Sequence, residues 1–239
     1  MSMRPVGVTR RVRERARAIR AGRALGLVNA LSPLVRLYGG TDKLSHGYTE
    51  HYERHVGPRR LERLVVFEIG VGGYSSLTPG GSLAVWRDYF LRSRIVGLDI
   101  EDKTVRLGGR VAFERVDQSN PEQLAEVVTT HGVPDIVIDD GSHVGSHIRA
   151  SFDYLWPLMH SRGIYVIEDL STSYYPTYEG ADPPPASSAM GLLTGLMDSV
   201  QALDTTFERY PQWGRRSAPQ YPDVWSLHVH PGIAFVVKA

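Results

Sequence analysis

The chain has 239 residues, 42% of them hydrophobic and 22% charged, with a formal net charge of +1, which is room for one domain of generous size with a substantial core. So even a charge balance argues against a nucleic-acid partner, which would call for a clearly basic surface. The absence of cysteine excludes disulfides, thiolate zinc sites and thiol nucleophiles, and no run approaches the roughly 18 apolar residues of a membrane span.

The chain opens with the charge asymmetry it otherwise lacks. Arg4, Arg10, Arg11, Arg13, Arg15, Arg17, Arg20, Arg23 and Arg36 face only Glu14. The apolar run from Ala24 to Val35 is interrupted by Asn29, Ser32 and Pro33 and is followed by no small-residue cleavage site, so the expected location is the cytoplasm. Leu25, Val28, Leu31 and Leu34 or Val35 share one helical face, which suits docking on the body or on a sister subunit. A patch for a membrane surface or an anionic ligand, or disorder, are the alternatives. Residues 1–45 are therefore expected to form a basic helical segment, and residues 46–239 the main domain.

His46 to Arg63 reads as a short helical region after the Gly39-Gly40 break. From there strands and helices alternate, which predicts a mostly parallel α/β sheet with helices on both faces. Val65–Ile69 is a largely apolar run with β-branched residues and hence a buried strand. Ser82–Leu91 has helical spacing, Ile95–Leu98 is a strand ending at Asp99, and Val111–Val116 is a third strand. Pro121–His131 is a helix with proline in its first turn. Asp135–Ile138 is a strand, Ser146–Met159 a helix, and Ile164–Ile167 a fifth strand. Ser171–Ser188 is rich in tyrosine and proline and too long for a mere connector, so residues 171–189 are read as a lid. Met190–Leu203 is a helix, and Val224–His230 with Ile233–Val237 form a closing antiparallel hairpin about Pro231-Gly232.

The first strand ends in Glu68-Ile69-Gly70-Val71-Gly72-Gly73-Tyr74. Such glycines let the backbone turn sharply and approach a nucleotide closely. A dinucleotide fingerprint would have glycine at position 75, where Ser75 stands, and its pyrophosphate would avoid an acid such as Glu68. S-adenosylmethionine (SAM) carries an ammonium and a sulfonium instead of a phosphate, so an acid there is favourable. The alternative is a plain strand-to-helix turn. Asp99 closes the second strand, where a carboxylate can accept ribose hydroxyls; otherwise it is a strand-end cap. Asp117 and Gln118, after the third strand, fall where adenine would lie.

Two acidic clusters close the fourth and fifth strands: Asp139-Asp140-Gly141-Ser142-His143 and Glu168-Asp169. In an open parallel sheet, ligands bind beyond the carboxyl ends of the strands. Carboxylates gathered there repel one another unless a cation neutralises them. Oxygen ligands without thiolate point to Mg²⁺, with Mn²⁺ possible. Asp140, Glu168 and Asp169 are the expected ligands and Asp139 an expected cofactor contact, with strand-end capping as the alternative. A sugar hydroxyl is a poor nucleophile at neutral pH, and metal coordination corrects that. His143 is placed as the general base, or else as a structural histidine. Tyr174, Tyr175 and Tyr178 of the lid can stack on a sugar face or simply pack the lid.

These residues resemble the macrocin and mycinamicin O-methyltransferases, which act on macrolide deoxysugars. The likeness rests on His46-Gly47-Tyr48-Thr49-Glu50-His51-Tyr52-Glu53-Arg54-His55, on Phe67–Tyr74, Asp139–His143 and Val166–Asp169, and on Ser188–Leu193; it spans roughly residues 43–238. It implies a class I, Rossmann-like methyltransferase fold and a SAM- and Mg²⁺-dependent sugar O-methyltransferase that forms a homo-oligomer, a dimer or tetramer. It also implies Tyr48 and Tyr52 as neighbours of the methionine end of SAM, and Glu68, Gly70, Asp99 and Gln118 as cofactor contacts. The arginine-rich start, read as lacking an extra N-terminal domain of some relatives, and the lid both depart from that pattern. The acceptor therefore stays open between a mannoside, a rhamnoside, a macrolide sugar and a cell-envelope glycan. A metal-dependent hydrolase, a nicotinamide-dependent oxidoreductase, disfavoured by Glu68 and Ser75, and a non-catalytic SAM-binding protein are the rival readings.

Overall fold

The computed structural model describes residues 31–39, 41–72, 80–205 and 217–239, with residues 14, 17, 18 and 209 singly. The arginine-rich start, including Leu25 and Val28, and Tyr74 with Ser75 of the glycine loop lie outside the described residues. The chain divides into two compact units, Met1–Val116 and Asp117–Ala239. Among the described residues no helix is long and apolar enough to cross a membrane.

The first unit contains α1 (Leu31–Tyr38), α2 (Tyr48–His55), β1 (Val65–Ile69), α3 (Gly81–Tyr89), β2 (Arg94–Asp99) and β3 (Val111–Arg115). In α1, Leu31, Leu34 and Val35 recur at helical spacing and are buried. The helix is pinned by Leu31 N–H donating to Glu53 Oε1 at 2.9 Å and by Ser32 Oγ donating to Thr49 Oγ1 at 2.9 Å. At its end the Tyr38 hydroxyl donates to Asp88. Burial, then the Asp88 bond, pushes Tyr38 up to about 12. The strands are parallel, in the order β3-β2-β1. Gly97 is the residue that lets α3 settle on β2, because a Cβ there would lie 2.7 Å from both Leu83 Cδ1 and Val71 Cγ2. Trp86, Tyr89, Phe90 and Tyr52 pack together as the aromatic part of this core.

The second unit runs through α4 (Pro121–His131), β4 (Ile136–Asp139), α5 (Gly145–Leu158), β5 (Ile164–Ile167), α6 (Ala189–Gln201), β6 (Val224–His230) and β7 (Ile233–Lys238). The start of α4 follows from its sequence: Asn120 accepts from the Glu122 and Gln123 N–H groups, and Pro121 needs no such partner. The strand order is β4-β5-β7-β6. β5 is parallel to β4, whereas β7 is antiparallel to both β5 and β6. The hairpin thus enters the sheet by its second strand. Phe152 and Trp156 of α5 stack at 5.2 Å, and Phe152 meets Tyr165 and Tyr221 edge-on. Seven strands, mostly parallel with an antiparallel C-terminal pair, give the mixed α/β class expected.

Element boundaries moved by a residue or two. Asp139 belongs to β4, α5 starts at Gly145, and α6 spans Ala189–Gln201. The lid is not a plain loop: it holds two 3-10 turns, Leu170–Tyr174 and Pro176–Tyr178. Proline at 176 forbids a continuing α-helix but is well suited to the first position of a short turn.

Candidate functional site

In the first unit, β1 gives way to a backbone turn with φ of 86° at Gly70 and 90° at Gly72, a left-handed region that side chains avoid. The Val71 N–H donates to Asp99 Oδ2 at 2.8 Å, and the Glu101 N–H to Asp99 Oδ1 at 2.9 Å. Lys103 Nζ sits 2.6 Å from Asp99 Oδ2 and also donates to the Val71 and Gly72 carbonyls. The carboxylate has about four acceptor positions, and three are filled among the described residues. One position suits a ribose hydroxyl, and the turn is shaped for a close-lying nucleoside, so this part of the fold fits SAM. Glu68 lies beneath, wholly buried. It accepts from Ser82 Oγ and Trp86 Nε1, both at 2.8 Å, and pairs with the buried Lys43 at 3.7 Å. Tyr48 and Tyr52 are buried in α2, Tyr52 with its ring 5.0 Å from Trp86.

In the second unit a buried polar network supports the end of β4. Asp139 accepts from Ser151 Oγ at 2.8 Å, the Tyr165 hydroxyl at 2.9 Å and Gln118 Nε2 at 3.1 Å. Burial raises the Asp139 carboxyl despite those three bonds, and burial with the Asp139 charge raises Tyr165. Gln118 uses its other end as well, accepting from the Ser142 N–H at 2.8 Å. Asp117 is held below its usual range by two bonds from Ser119, side chain first. Gln118 and Asp139 are therefore joined to each other and to the turn that follows β4.

That turn and the end of β5 bring together the chemistry-bearing group. Asp140, His143 and Asp169 each offer a ligand atom within 4.8 Å of the others, and all three are partly exposed. His143 Nε2 lies 3.9 Å from Asp140 Oδ1 and 3.5 Å from Asp169 Oδ2. Glu168 is outside this group; it is 1% exposed, and its N–H bonds to the Asp139 carbonyl at 3.0 Å. His143 and Asp169 both hold left-handed backbone, φ 58° and 53°. Side chains there cost roughly 1–2 kcal/mol each, and such strain gathers at functional sites. Thr172 secures both residues, its Oγ1 donating to the Asp169 carbonyl at 2.7 Å and to the His143 carbonyl at 3.5 Å. The two partly exposed carboxylates fit a hard divalent ion that keeps other oxygen ligands, with the imidazole beside them.

The lid supplies an aromatic wall. The Tyr178 ring stands edge-on to His143 with centroids 6.2 Å apart, while Tyr174 and Tyr175 are exposed, at 42% and 58%.

No family model matches the chain. The chain is 42% identical over 202 residues to the 8-demethyl-8-alpha-L-rhamnosyl tetracenomycin-C 2'-O-methyltransferase of Streptomyces olivaceus, covering 83% of this chain and 52% of that protein. It is equally identical over 198 residues to the demethylmacrocin O-methyltransferase of Streptomyces fradiae, covering 81% of this chain and 49% of the relative. A solved structure of the MycE methyltransferase of the mycinamycin pathway, in complex with Mg, SAH and mycinamycin VI, matches with a TM-score of 0.77 at 38% identity, over 87% of this chain and 53% of that one. The chain is thus similar to the macrocin- and mycinamicin-type O-methyltransferases. Its fold is the class I methyltransferase fold, as the resemblance implied. The chain spans about half the length of the curated relatives it matches.

Sequence reasoning missed the partners of the acids. Lys43, Lys103 and Lys238 are the chain's only lysines, and each is paired with a carboxylate, Glu68, Asp99 and Asp223 respectively. Lysine at three places in a chain otherwise built with arginine was the available signal. Thr172 and Ser142 carried none, because hydroxyl residues beside a turn are ordinary.

Proposed function

We propose that the chain transfers a methyl group from SAM to a sugar hydroxyl in a reaction that needs a divalent ion, Mg²⁺ or Mn²⁺. The observation that carries this reading is the Asp140–His143–Asp169 group beyond β4 and β5, in a chain 42% identical to proteins named as sugar O-methyltransferases. Asp140 and Asp169, with Glu168 beside them, would hold the ion, which would supply Lewis acidity toward the acceptor hydroxyl. His143 Nε2 takes the hydroxyl proton. The oxygen then forms its bond to the methyl carbon as the sulfonium bond breaks, leaving a neutral thioether. Asp140 and Asp169 orient the imidazole and stabilise the imidazolium.

On the donor side, Gly70, Gly72 and Asp99 contact the cofactor, with Tyr74 following in the same loop and Asp117 toward adenine. In the first unit Glu68, Tyr48 and Tyr52 are further proposed cofactor residues, and in the second unit Gln118 and Asp139 are, all five buried. Tyr178, with Tyr174 and Tyr175 beyond it, faces the sugar. Residues 46–239 act as the transferase domain with its lid at 171–189, and residues 1–45 as a basic docking segment. The working form is a homo-oligomer, dimer or tetramer, in the cytoplasm, where the proposed donor is made. The relatives' names favour transfer over the hydrolase reading.

The test is incubation with SAM, Mg²⁺ and a panel of rhamnosides, mannosides and macrolide glycosides, read by mass spectrometry. The expected result is a gain of one methyl on an acceptor, abolished by EDTA and restored by Mg²⁺. Cofactor binding without turnover on any glycoside would instead support a SAM-binding protein, and turnover that survives exhaustive chelation would sink the metal role.

A further inference from the structure

We infer that Glu179 is a positioning residue that clamps the lid to the start of α5 and thereby holds Tyr178 beside His143. The inference rests on the transferase reading for its functional consequence and on geometry for its physical content. Glu179 follows the second 3-10 turn directly and adopts left-handed backbone, φ 61°. That bend aims its side chain back at α5, where Oε2 accepts the Ser146 N–H at 2.9 Å. Ser146 is the second residue of α5, whose N-cap is Val144, a residue with no side-chain oxygen to cap the helix. The first N–H groups of a helix have no partner within it, and an acid at this end also meets the positive end of the helix dipole. Glu179 is thus a capping residue delivered from outside the helix. The Ser146 backbone and side-chain bonds hold its carboxyl below the usual range.

Further contacts make the same junction tight. A Cβ on Gly145 would lie 2.7 Å from the Ser187 carbonyl, so the far end of the lid passes directly over the helix start. Arg149 Nη2 donates to the Ala186 carbonyl at 2.9 Å. The near end is tied by the Met190 N–H donating to Ser173 Oγ at 3.2 Å and the Ala181 N–H to the Ser173 carbonyl at 3.1 Å. Between these ties, Glu179 is the side chain that secures the stretch next to Tyr178. His143 is two residues before α5 begins, so one carboxylate links the aromatic wall and the turn that carries the base. A sugar entering this space meets a preset wall, and the ordering cost of closing it is not charged against binding.

The test compares Glu179→Ala and Glu179→Gln with the parent chain. Glutamine retains the acceptor and loses only the charge; alanine loses both. Chymotrypsin nicking after the exposed Tyr174 reports lid opening without any activity, since cleavage tracks the population of the open form. Glu179→Ala is expected to be nicked about fivefold faster, the size of one hydrogen bond's net effect on an equilibrium, and Glu179→Gln within about twofold of the parent on the same scale. In turnover assays, Glu179→Ala raises the acceptor KM by a similar factor, leaves kcat and the KM for SAM near the parent's, and Glu179→Gln restores the acceptor KM. Equal nicking in all three chains would overturn the clamp, as would a fall in kcat at unchanged acceptor KM, or a glutamine variant that behaves like alanine. If the parent transfers no methyl to any glycoside, the transferase reading fails, and the nicking comparison alone still decides whether Glu179 closes the lid.

Discussion

Replacing Tyr165 with phenylalanine isolates the polar network under the proposed metal site. The ring stays, so its 4.9 Å contact with Phe152 is kept, and only the hydroxyl is lost. That hydroxyl donates to Asp139 Oδ2 at 2.9 Å and lies 3.0 Å from Ser151 Oγ. Asp139 is 2% exposed, so water cannot replace the missing donor. A hydrogen bond to a charged group contributes about 1.5–3 kcal/mol, and the remaining donors, Ser151 and Gln118, keep the loss toward the middle of that span. The expected destabilisation is therefore about 2 kcal/mol. Urea unfolding at pH 7 should show it as a midpoint lowered by roughly 1 M at an unchanged slope. Because Tyr165, Ser151 and Asp139 form one network, Ser151→Ala combined with Tyr165→Phe should depart from additivity by more than about 0.5 kcal/mol. A loss below about 0.5 kcal/mol for Tyr165→Phe, or strict additivity in the double variant, would refute a tightly bonded buried carboxylate at the end of β4.

Other outcomes follow from the same geometry. Asp140→Ala and Asp169→Ala should each weaken Mg²⁺ binding in calorimetry and abolish Mg²⁺-restored turnover, while SAM affinity stays near that of the parent. His143→Ala should lower kcat by about 10²–10⁴ with cofactor binding retained; turnover close to the parent's would remove it from the role of base. Gly97→Ala should cost about 1–3 kcal/mol, since the new methyl must displace Leu83 and Val71, and thermal unfolding will read it. Asp223 is driven up by burial, but Lys238 and Trp156 outweigh this and leave it lowered. A lowered carboxyl stabilises the fold above its unfolded pKa and loses that contribution as pH falls through the folded one. The parent should accordingly lose more Tm than Asp223→Asn between pH 6 and pH 3, and parallel loss in both would refute the pairing.

Much of the fold and some of the site were legible in the sequence. β1 and β5 have the bounds their apolar runs with β-branched residues imply, and α4 has the bounds read from the sequence, with Pro121 in its first turn. These are local effects: a fixed proline φ or an apolar run acts within a few residues. The acidic clusters at the ends of β4 and β5 were legible for a related reason, since strand ends of a parallel sheet are known places for ligands.

What tertiary structure decided was which group meets which. Asp140 and Asp169 join His143, while Glu168 is turned to a buried setting one residue away. Asp139 takes one of its two hydroxyl partners, Tyr165, from 26 residues further on, and Glu68 takes Lys43 from before the first strand. The hairpin enters beside β5 by β7 instead of β6, and an exposed glutamate in the lid caps a helix it does not belong to. Periodicity specifies that a face is buried but not what lies against it. Carboxylates, being the most costly groups to bury unpaired, are where that difference has the largest consequence.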